Sequence, residues 1–175
     1  KPDEYVFVGG HIDSWDGATG TTDNGTGVAT TIEAARLLML AGAKPKRTIR
    51  FTLWSGEEQG LLGSQAWIKA HPEMLPKISA ILIHDGGTAV LTGIHCLAGM
   101  RDDFEKATAL LPTLDQTFPF KVETIPSFFP IGSDHDSFNM VGVPGFFWRQ
   151  DSSVDYNHTH HTQYDTYDAA RPDHQ

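Results

Sequence analysis

The chain has 175 residues, which suits one compact domain and is too short for two full domains. Hydrophobic residues make up 39% and charged residues 20%, a balance that excludes a disordered chain or a coiled coil. The net charge is -9 and the basic residues are scattered, so nucleic acid is not expected as a partner. No apolar run is long enough for a membrane span, no signal peptide is recognised, and the single cysteine, Cys96, leaves no internal disulfide.

Apolar periodicity predicts strands that alternate with helices. In chain order, the pattern predicts a strand at 4–8, a helix at 25–40, a strand at 47–54, a helix at 60–71, a strand at 78–83, a helix at 102–111, a strand at 121–125, a loop at 126–137 and a strand at 145–148. The first helix is expected to be capped by Asp23 or Asn24 and to stop at Gly42. This alternation favours an α/β domain with a mostly parallel sheet that is covered on both faces.

Polar side chains follow the predicted strands at the point where each strand ends. His11 and Asp13 come after the first strand, Glu57 and Glu58 after the second, Asp85 after the third, and a histidine-rich loop after the last. In open α/β sheets, ligands bind outside the carboxyl ends of the strands. We therefore expect these side chains to converge at one edge of the sheet.

The donors in these clusters suit divalent metal ions. The candidate ligands are His11, Asp23, Glu58, Asp85 and His161. Two imidazoles with three carboxylates form the kind of ligand set that zinc has in open, catalytic sites. Two metal ions roughly 3.5–4 Å apart need a bridging carboxylate. Asp23 at the start of a helix is well placed to bridge.

Two further acidic residues have predicted roles beside the ligands. Asp13 lies two positions after His11, so both side chains project to the same side of an extended segment, and Asp13 can accept the imidazole N–H. Glu57 and Glu58 are adjacent and point in different directions. One of them can therefore bind metal while its neighbour stays free as a base.

Six segments resemble peptidase family M28, a family of two-zinc exopeptidases. They are HIDSW at 11–15, TDNGTG at 22–27, RTIRFTLWSGEEQGLLGS at 47–64, HDGGT at 84–88, SDHDSF at 133–138 and HTQYDT at 161–166. The likeness is greatest to the branch that contains plasma glutamate carboxypeptidase and its bacterial relatives. Any one candidate ligand could be only a helix cap, a turn former or a solvated group. Their joint occurrence at consecutive strand ends, in family order, favours the metal site.

The resemblance implies a three-layer αβα fold with a central, mostly parallel mixed sheet of the zinc-exopeptidase type. It also implies two zinc ions, for which cobalt or manganese could substitute. His11 and Asp85 would bind one ion, Glu58 and His161 the other, and Asp23 would bridge them. The family pattern His-x-x-x-Asp-Thr selects His161 among the neighbouring histidines.

The same resemblance assigns catalytic roles. Glu57 would be the general base for a water that bridges the metals, and Asp13 would orient His11. The tetrahedral oxyanion needs a further donor, and we predict that His160 donates this hydrogen bond.

The function implied is that of a metal-dependent exopeptidase, an aminopeptidase, dipeptidase or carboxypeptidase that hydrolyses terminal bonds of short peptides. Three alternatives stay open: a single-zinc acyltransferase similar to glutaminyl cyclase, a noncatalytic binding module, and a folded but inactive metal-binding fragment. Relatives are commonly exported, so a secreted or periplasmic location is expected. The chain is expected to form one catalytic domain over residues 1–175 and to be a truncated core without N-terminal elements and a C-terminal helix. Its oligomeric state is not predicted.

Overall fold

The computed structural model describes residues 1–114, 120–151 and 154–174. The strands in this part of the chain are β1 (Tyr5–His11), β2 (Thr48–Trp54), β3 (Ile78–Ile83), β4 (Val90–Leu97), β5 (Lys121–Ile125) and β6 (Gly145–Asp151). The α-helices are α1 (Thr26–Leu40), α2 (Leu62–Ala70), α3 (Arg101–Thr108), α4 (Leu111–Leu114), α5 (His135–Asn139) and α6 (Tyr156–Thr159). Short helical turns cover Thr21–Gly25, Pro72–Lys77, Ala98–Met100, Tyr167–Ala169 and Pro172–His174.

The six strands form one mixed sheet in the order β2-β1-β3-β6-β4-β5. β1 runs parallel to β2 and β3, β3 runs parallel to β6, and β4 runs parallel to β5. The β4–β6 pair is antiparallel. The predicted mostly parallel sheet is therefore confirmed, and β1 lies between two parallel neighbours.

Apolar side chains pack on both faces of this sheet. Ile81 and Ile83 of β3 belong to one buried cluster, which also contains Phe138 of α5 and contacts Trp67 of α2. The other cluster contains Phe146 of β6, and α3 packs against it. Because successive residues of a strand point to opposite faces, the two clusters lie on opposite sides of the sheet. Helices on both faces confirm the three-layer αβα architecture.

Two elements differ from the predictions. The segment predicted as a loop at 126–137 contains the start of α5, a helix of five residues in which His135 to Phe138 are buried. Its polar sequence carries no apolar stripe, and the helix is stabilised by tertiary packing against α2 and β6. The strand β4 was not predicted, because Thr92 and Gly93 interrupt its apolar run. Gly86 and Gly87 also lie shortly before its start and are typical of a loop.

The predicted boundaries near the candidate site are also refined by the structure. β1 continues through Gly9 and Gly10 to His11, because β2 pairs with it along its whole length. A Cβ atom at Gly9 would lie 2.1 Å from the Thr52 carbonyl oxygen, so the close approach of these strands requires glycine. The N-cap of α1 is Gly25 and not the predicted Asp23 or Asn24, although the Asn24 side chain accepts a hydrogen bond from the Gly27 N–H at 3.1 Å.

No helix in the described part of the chain combines the length and the apolar character needed to cross a membrane.

Candidate metal centre

The topology of the sheet brings the predicted site residues together. β2, β1 and β3 are neighbours and run parallel, so their carboxyl ends meet at one edge of the sheet. His11 is the last residue of β1, and Glu57 and Asp85 follow the ends of β2 and β3. His11 Nε2 lies 3.0 Å from Asp85 Oδ1 and 3.9 Å from Glu57 Oε2, so these side chains converge as predicted.

The first cluster consists of His11, Asp23 and Asp85. His11 Nε2 lies 3.1 Å from Asp23 Oδ1 and 3.0 Å from Asp85 Oδ1. The imidazole is 1% exposed, and its Nδ1 donates a hydrogen bond to the Asp13 carbonyl oxygen at 2.9 Å. Ser133 Oγ donates to Asp85 Oδ2 at 2.6 Å. With these hydrogen bonds in place, His11 Nε2 faces one oxygen of Asp23 and one oxygen of Asp85.

Asp13 lies beside His11, but its carboxylate does not form the predicted hydrogen bond to the imidazole. The carboxylate Oδ1 is 3.7 Å from His11 Nδ1, and the backbone oxygen of Asp13 accepts the hydrogen bond instead. The two carboxylate oxygens accept the N–H groups of Glu57 and Glu58 at 3.2 and 3.3 Å. Asp13 therefore connects the segment after β1 to the segment after β2, and so positions both glutamates.

The second cluster is built around the other oxygen of Asp23. His161 Nε2 lies 3.4 Å from Asp23 Oδ2 and 3.0 Å from Glu58 Oε2. His160 Nε2 lies 3.8 Å from Asp23 Oδ2, and the two histidine rings stack with centroids 3.7 Å apart. His160 is thus close enough to Asp23 to be an alternative ligand. Asp23 faces His11 with one oxygen and His161 with the other.

The donor atoms of these clusters fit divalent metal ions. Asp23 Oδ2 and both Glu58 oxygens are buried, and none of them accepts a hydrogen bond within the described residues. His161 Nε2 and Glu58 Oε2 are 3.0 Å apart without the alignment of a hydrogen bond, as expected for two ligands aimed at a common cation. Buried carboxylates without partners are costly unless a cation compensates them. Imidazole and carboxylate are ligands that zinc accepts.

Burial and the repulsion of neighbouring carboxylates raise the pKa values of Glu57 and Glu58. The pKa of Glu57 rises to about 8, mainly through burial and then through the charge of Asp85. Burial, followed by the charge of Asp23, raises the pKa of Glu58 to about 7. Burial lowers the pKa of His11, but hydrogen bonds to Asp23 and Asp85 outweigh it, and the pKa reaches about 12. Without a cation, the site therefore retains protons near neutral pH.

This proton retention predicts how the stability of the metal-free chain depends on pH. Glu57, Glu58 and His11 have raised pKa values in the folded chain, so folded chains hold protons that unfolded chains have released. The stability contributed by the glutamates is complete below about pH 4.5 and is lost as the pH rises through about 7 and 8. Burial lowers the pKa of His84 to about 4, so this residue makes the folded chain more stable as the pH rises. That effect is complete above about pH 6.5, where His84 of the unfolded chain is also neutral. The melting temperature is expected to fall between about pH 7 and 8.5.

Thermal melts in EDTA across this pH range test the expectation. Glu57→Gln removes one of the titrating groups, so its melting temperature should depend less steeply on pH. Saturating zinc should remove the dependence, because binding of the cation displaces the protons. A melting temperature that rises across the range in EDTA would contradict the assignment.

Supporting hydrogen bonds hold the segment that carries Asp23. Both oxygens of Asp165 accept backbone N–H groups, from Thr22 at 2.6 Å and from Asp23 at 2.9 Å. Thr22 Oγ1 also donates to Thr159 Oγ1 at 2.8 Å. Asp165 therefore joins the loop of His161 to the Asp23 segment. The sequence signal for this contact was the HTQYDT motif alone.

The SDHDSF segment supports the same edge of the sheet. Asp136 Oδ2 accepts the N–H groups of Ile131 and Gly132 at 2.9 and 2.7 Å, so it stabilises the preceding loop. Asp134 is fully buried, and burial raises its pKa to about 6. Sequence reasoning did not single out Ser133, the partner of Asp85, because a serine in a polar loop carries no specific signal.

An open cleft of about 600 Å³ leads to both clusters. Its lining includes Asp23, Glu57, Glu58, Asp85, His160 and His161. A second cavity of about 740 Å³ shares Asp85, Phe147 and Tyr156 with this cleft and is lined by several aromatic side chains. Sequence reasoning missed Tyr156, which packs against His160 with ring centroids 5.0 Å apart. The site can therefore be reached by a ligand larger than a water molecule.

Comparisons with known proteins identify the family of this chain. The model of peptidase family M28 matches residues 1–174. Carboxypeptidase Q of Rattus norvegicus is 34% identical over 173 residues, which cover 98% of this chain and 35% of that protein. The chain therefore spans about a third of the length of the curated relatives it matches.

Solved structures share the fold. The peptidase M28 precursor from Shewanella amazonensis SB2B matches with a TM-score of 0.86 and 33% identity, over 98% of this chain and 38% of that chain. A glutaminyl cyclase from an Acidobacteriales bacterium matches with a TM-score of 0.69 over 98% of this chain and 64% of that chain. Its identity of 21% shows a common fold alone. From the sheet, the family model and the relatives together, we conclude that the chain belongs to peptidase family M28.

Proposed function

We propose that this chain carries the catalytic centre of a zinc-dependent exopeptidase that hydrolyses terminal bonds of short peptides. The observation that carries the proposal is the position of Asp23, whose two oxygens face two separate groups of ligand atoms. A carboxylate in this position suits a pair of metal ions. Membership of the M28 family supports the same reaction class.

The ligand assignment follows the two clusters. His11 and Asp85 would hold one zinc ion, Glu58 and His161 the other, and Asp23 would contact both. When bound, zinc supplies a Lewis acid for the scissile carbonyl and lowers the pKa of water toward neutrality.

Glu57 is proposed as the general base. It is buried beside the first cluster, with Oε2 3.9 Å from His11 Nε2, and it lines the cleft. It would take a proton from the attacking water and return it to the leaving amine. The Asp13 carboxylate holds the N–H groups of Glu57 and Glu58, so it fixes the backbone from which the base and the ligand diverge.

His160 is proposed to donate a hydrogen bond to the oxyanion that forms during hydrolysis. It lines the cleft, and its ring is held between contacts with Tyr156 and His161. We expect His160→Ala to lower kcat by on the order of 10²-fold, the usual loss of one oxyanion donor, while the metal content is unchanged. Steady-state kinetics and elemental analysis of the same preparation test this. Unchanged turnover at unchanged metal content would refute the role, and a loss of metal would identify His160 as a ligand.

The proposed function is tested with the wild-type chain. After exhaustive dialysis against zinc-free buffer, the metal content per chain is measured, and dipeptides and aminoacyl amides are screened for hydrolysis. We expect two equivalents of zinc per chain. We also expect hydrolysis that EDTA abolishes and that added zinc restores. One equivalent with cyclisation of N-terminal glutamine would support an acyltransferase instead, and a folded chain that takes no zinc would contradict the proposal.

We also propose that residues 1–175 form one catalytic domain, supported by two apolar clusters on a shared sheet. A secreted or periplasmic location is proposed from the relatives, one of which is described as a precursor.

A further inference from the structure

Trp15 lies on the loop after β1 and contacts the second cluster. Its side chain is 48% exposed, yet its ring centroid is 5.1 Å from that of His161, with the planes tilted by 42°. Trp15, Asp23, Glu58 and His161 together line a small gap beside the cluster. One exposed aromatic residue thus contacts His161 and lies beside Glu58, the two residues proposed to bind the second metal ion.

His161 needs such support more than His11 does. The His11 ring is 1% exposed and its Nδ1 is hydrogen-bonded to Asp13, whereas the His161 side chain is 43% exposed. His161 also has a φ of 59°, in the left-handed region that side-chain-bearing residues rarely adopt. Within the described residues, no hydrogen bond to His161 Nδ1 is formed. Apart from the two carboxylates that face its Nε2, the ring contacts with Trp15 and His160 are therefore what restrict its orientation.

We propose that Trp15 is a positioning residue for the second metal ion, which holds the His161 ring in the orientation that binds the cation. The proposal rests on the proposed function, because it assigns a role toward a metal ion that His161 and Glu58 would share. Groups that orient metal ligands typically change metal affinity by about 10–100-fold when they are removed. Trp15 should therefore control the affinity of one metal ion and leave the other nearly unchanged.

The test measures the two dissociation constants of zinc by competition with a chromophoric chelator. Trp15→Ala should weaken one equivalent by about 10–100-fold and change the other by less than about threefold. Trp15→Phe keeps a smaller aromatic ring against His161, so its zinc affinity should lie between those of Trp15→Ala and the wild type. Tyr167→Ala is the matched control, since Tyr167 is an 83% exposed aromatic residue that does not line the cleft or the gap.

A double-mutant cycle identifies the affected equivalent. His161→Ala should weaken the same equivalent, and Trp15→Ala should have little further effect in that background, because the two residues act through one contact. Wild-type affinities in Trp15→Ala, or equal weakening of both equivalents, would overturn the proposal. Additive effects of the two substitutions would overturn it as well.

A metal-free readout separates this inference from the proposed function. In EDTA, the ring current of Trp15 should shift the carbon-bound ring protons of His161 in the NMR spectrum, and the shift should vanish in Trp15→Ala but persist in Tyr167→Ala. A wild-type chain that binds fewer than two zinc ions would contradict the proposed function, while this shift would still show whether Trp15 orders His161. Unshifted His161 signals in the wild type would overturn the role of Trp15.

Discussion

Asp23→Ala is expected to lower the zinc content of the dialysed chain from two equivalents to at most one and to abolish peptide hydrolysis. Asp23 Oδ1 lies 3.1 Å from His11 Nε2, and Oδ2 lies 3.4 Å from His161 Nε2, so one substitution removes a donor from both clusters. A pair of metal ions without its bridging carboxylate loses its shared negative charge, and their mutual repulsion then opposes double occupancy. Elemental analysis and a hydrolysis assay on the same preparation measure both effects.

The fold of this variant can be checked separately from its metal content. Asp165 binds the backbone N–H of Asp23, so the substitution leaves this anchor in place. Asp16→Ala is the matched control, because Asp16 is exposed on the neighbouring loop and does not line the cleft. If Asp23→Ala folds and retains two zinc ions, the bridging role is wrong.

Glu57→Gln is expected to lower kcat by about 10²–10⁴-fold while both zinc ions stay bound, the usual range for loss of a general base. Gln has nearly the shape of Glu, so the variant removes the proton acceptor and retains the packing. Glu57 Oε2 lies 3.9 Å from His11 Nε2, farther than the carboxylates of Asp23 and Asp85, as suits a base that does not ligate metal. The kinetic constants of a dipeptide substrate and the zinc content provide the measurement.

The adjacent residue gives a direct control. Glu58→Gln should lose one zinc equivalent, because the Glu58 carboxylate lies 3.0 Å from His161 Nε2 and accepts no hydrogen bond from the described residues. The two substitutions should thus have different effects: Glu57→Gln impairs proton transfer, and Glu58→Gln impairs metal binding. Full activity of Glu57→Gln would refute the role of Glu57 as the base. Loss of zinc from Glu57→Gln, with zinc retained by Glu58→Gln, would show that the two roles are reversed.

The sequence predicted the fold class because its strongest signals are local. Buried strands such as 78–83 are short apolar runs, and α1 shows apolar residues at helical spacing, so the period of the pattern indicates the element. The loop predicted at 126–137 was wrong where α5 begins, since that helix depends on neighbours that are distant in sequence. β4 was missed for a similar reason, as its pairing with β5 and β6 compensates for a weak local pattern.

The sequence by itself determined which residue types stand at the ends of the strands, and parallel strands were enough to predict that His11, Glu58 and Asp85 converge. Only the tertiary structure decided which atoms face one another. It showed that the Asp13 backbone oxygen, and not its carboxylate, holds His11, and it placed Trp15 against His161. The physical reason is that apolar periodicity is a local property of the sequence. Hydrogen-bond partners instead depend on the paths of loops, which bring groups that are distant in sequence within about 3 Å of each other.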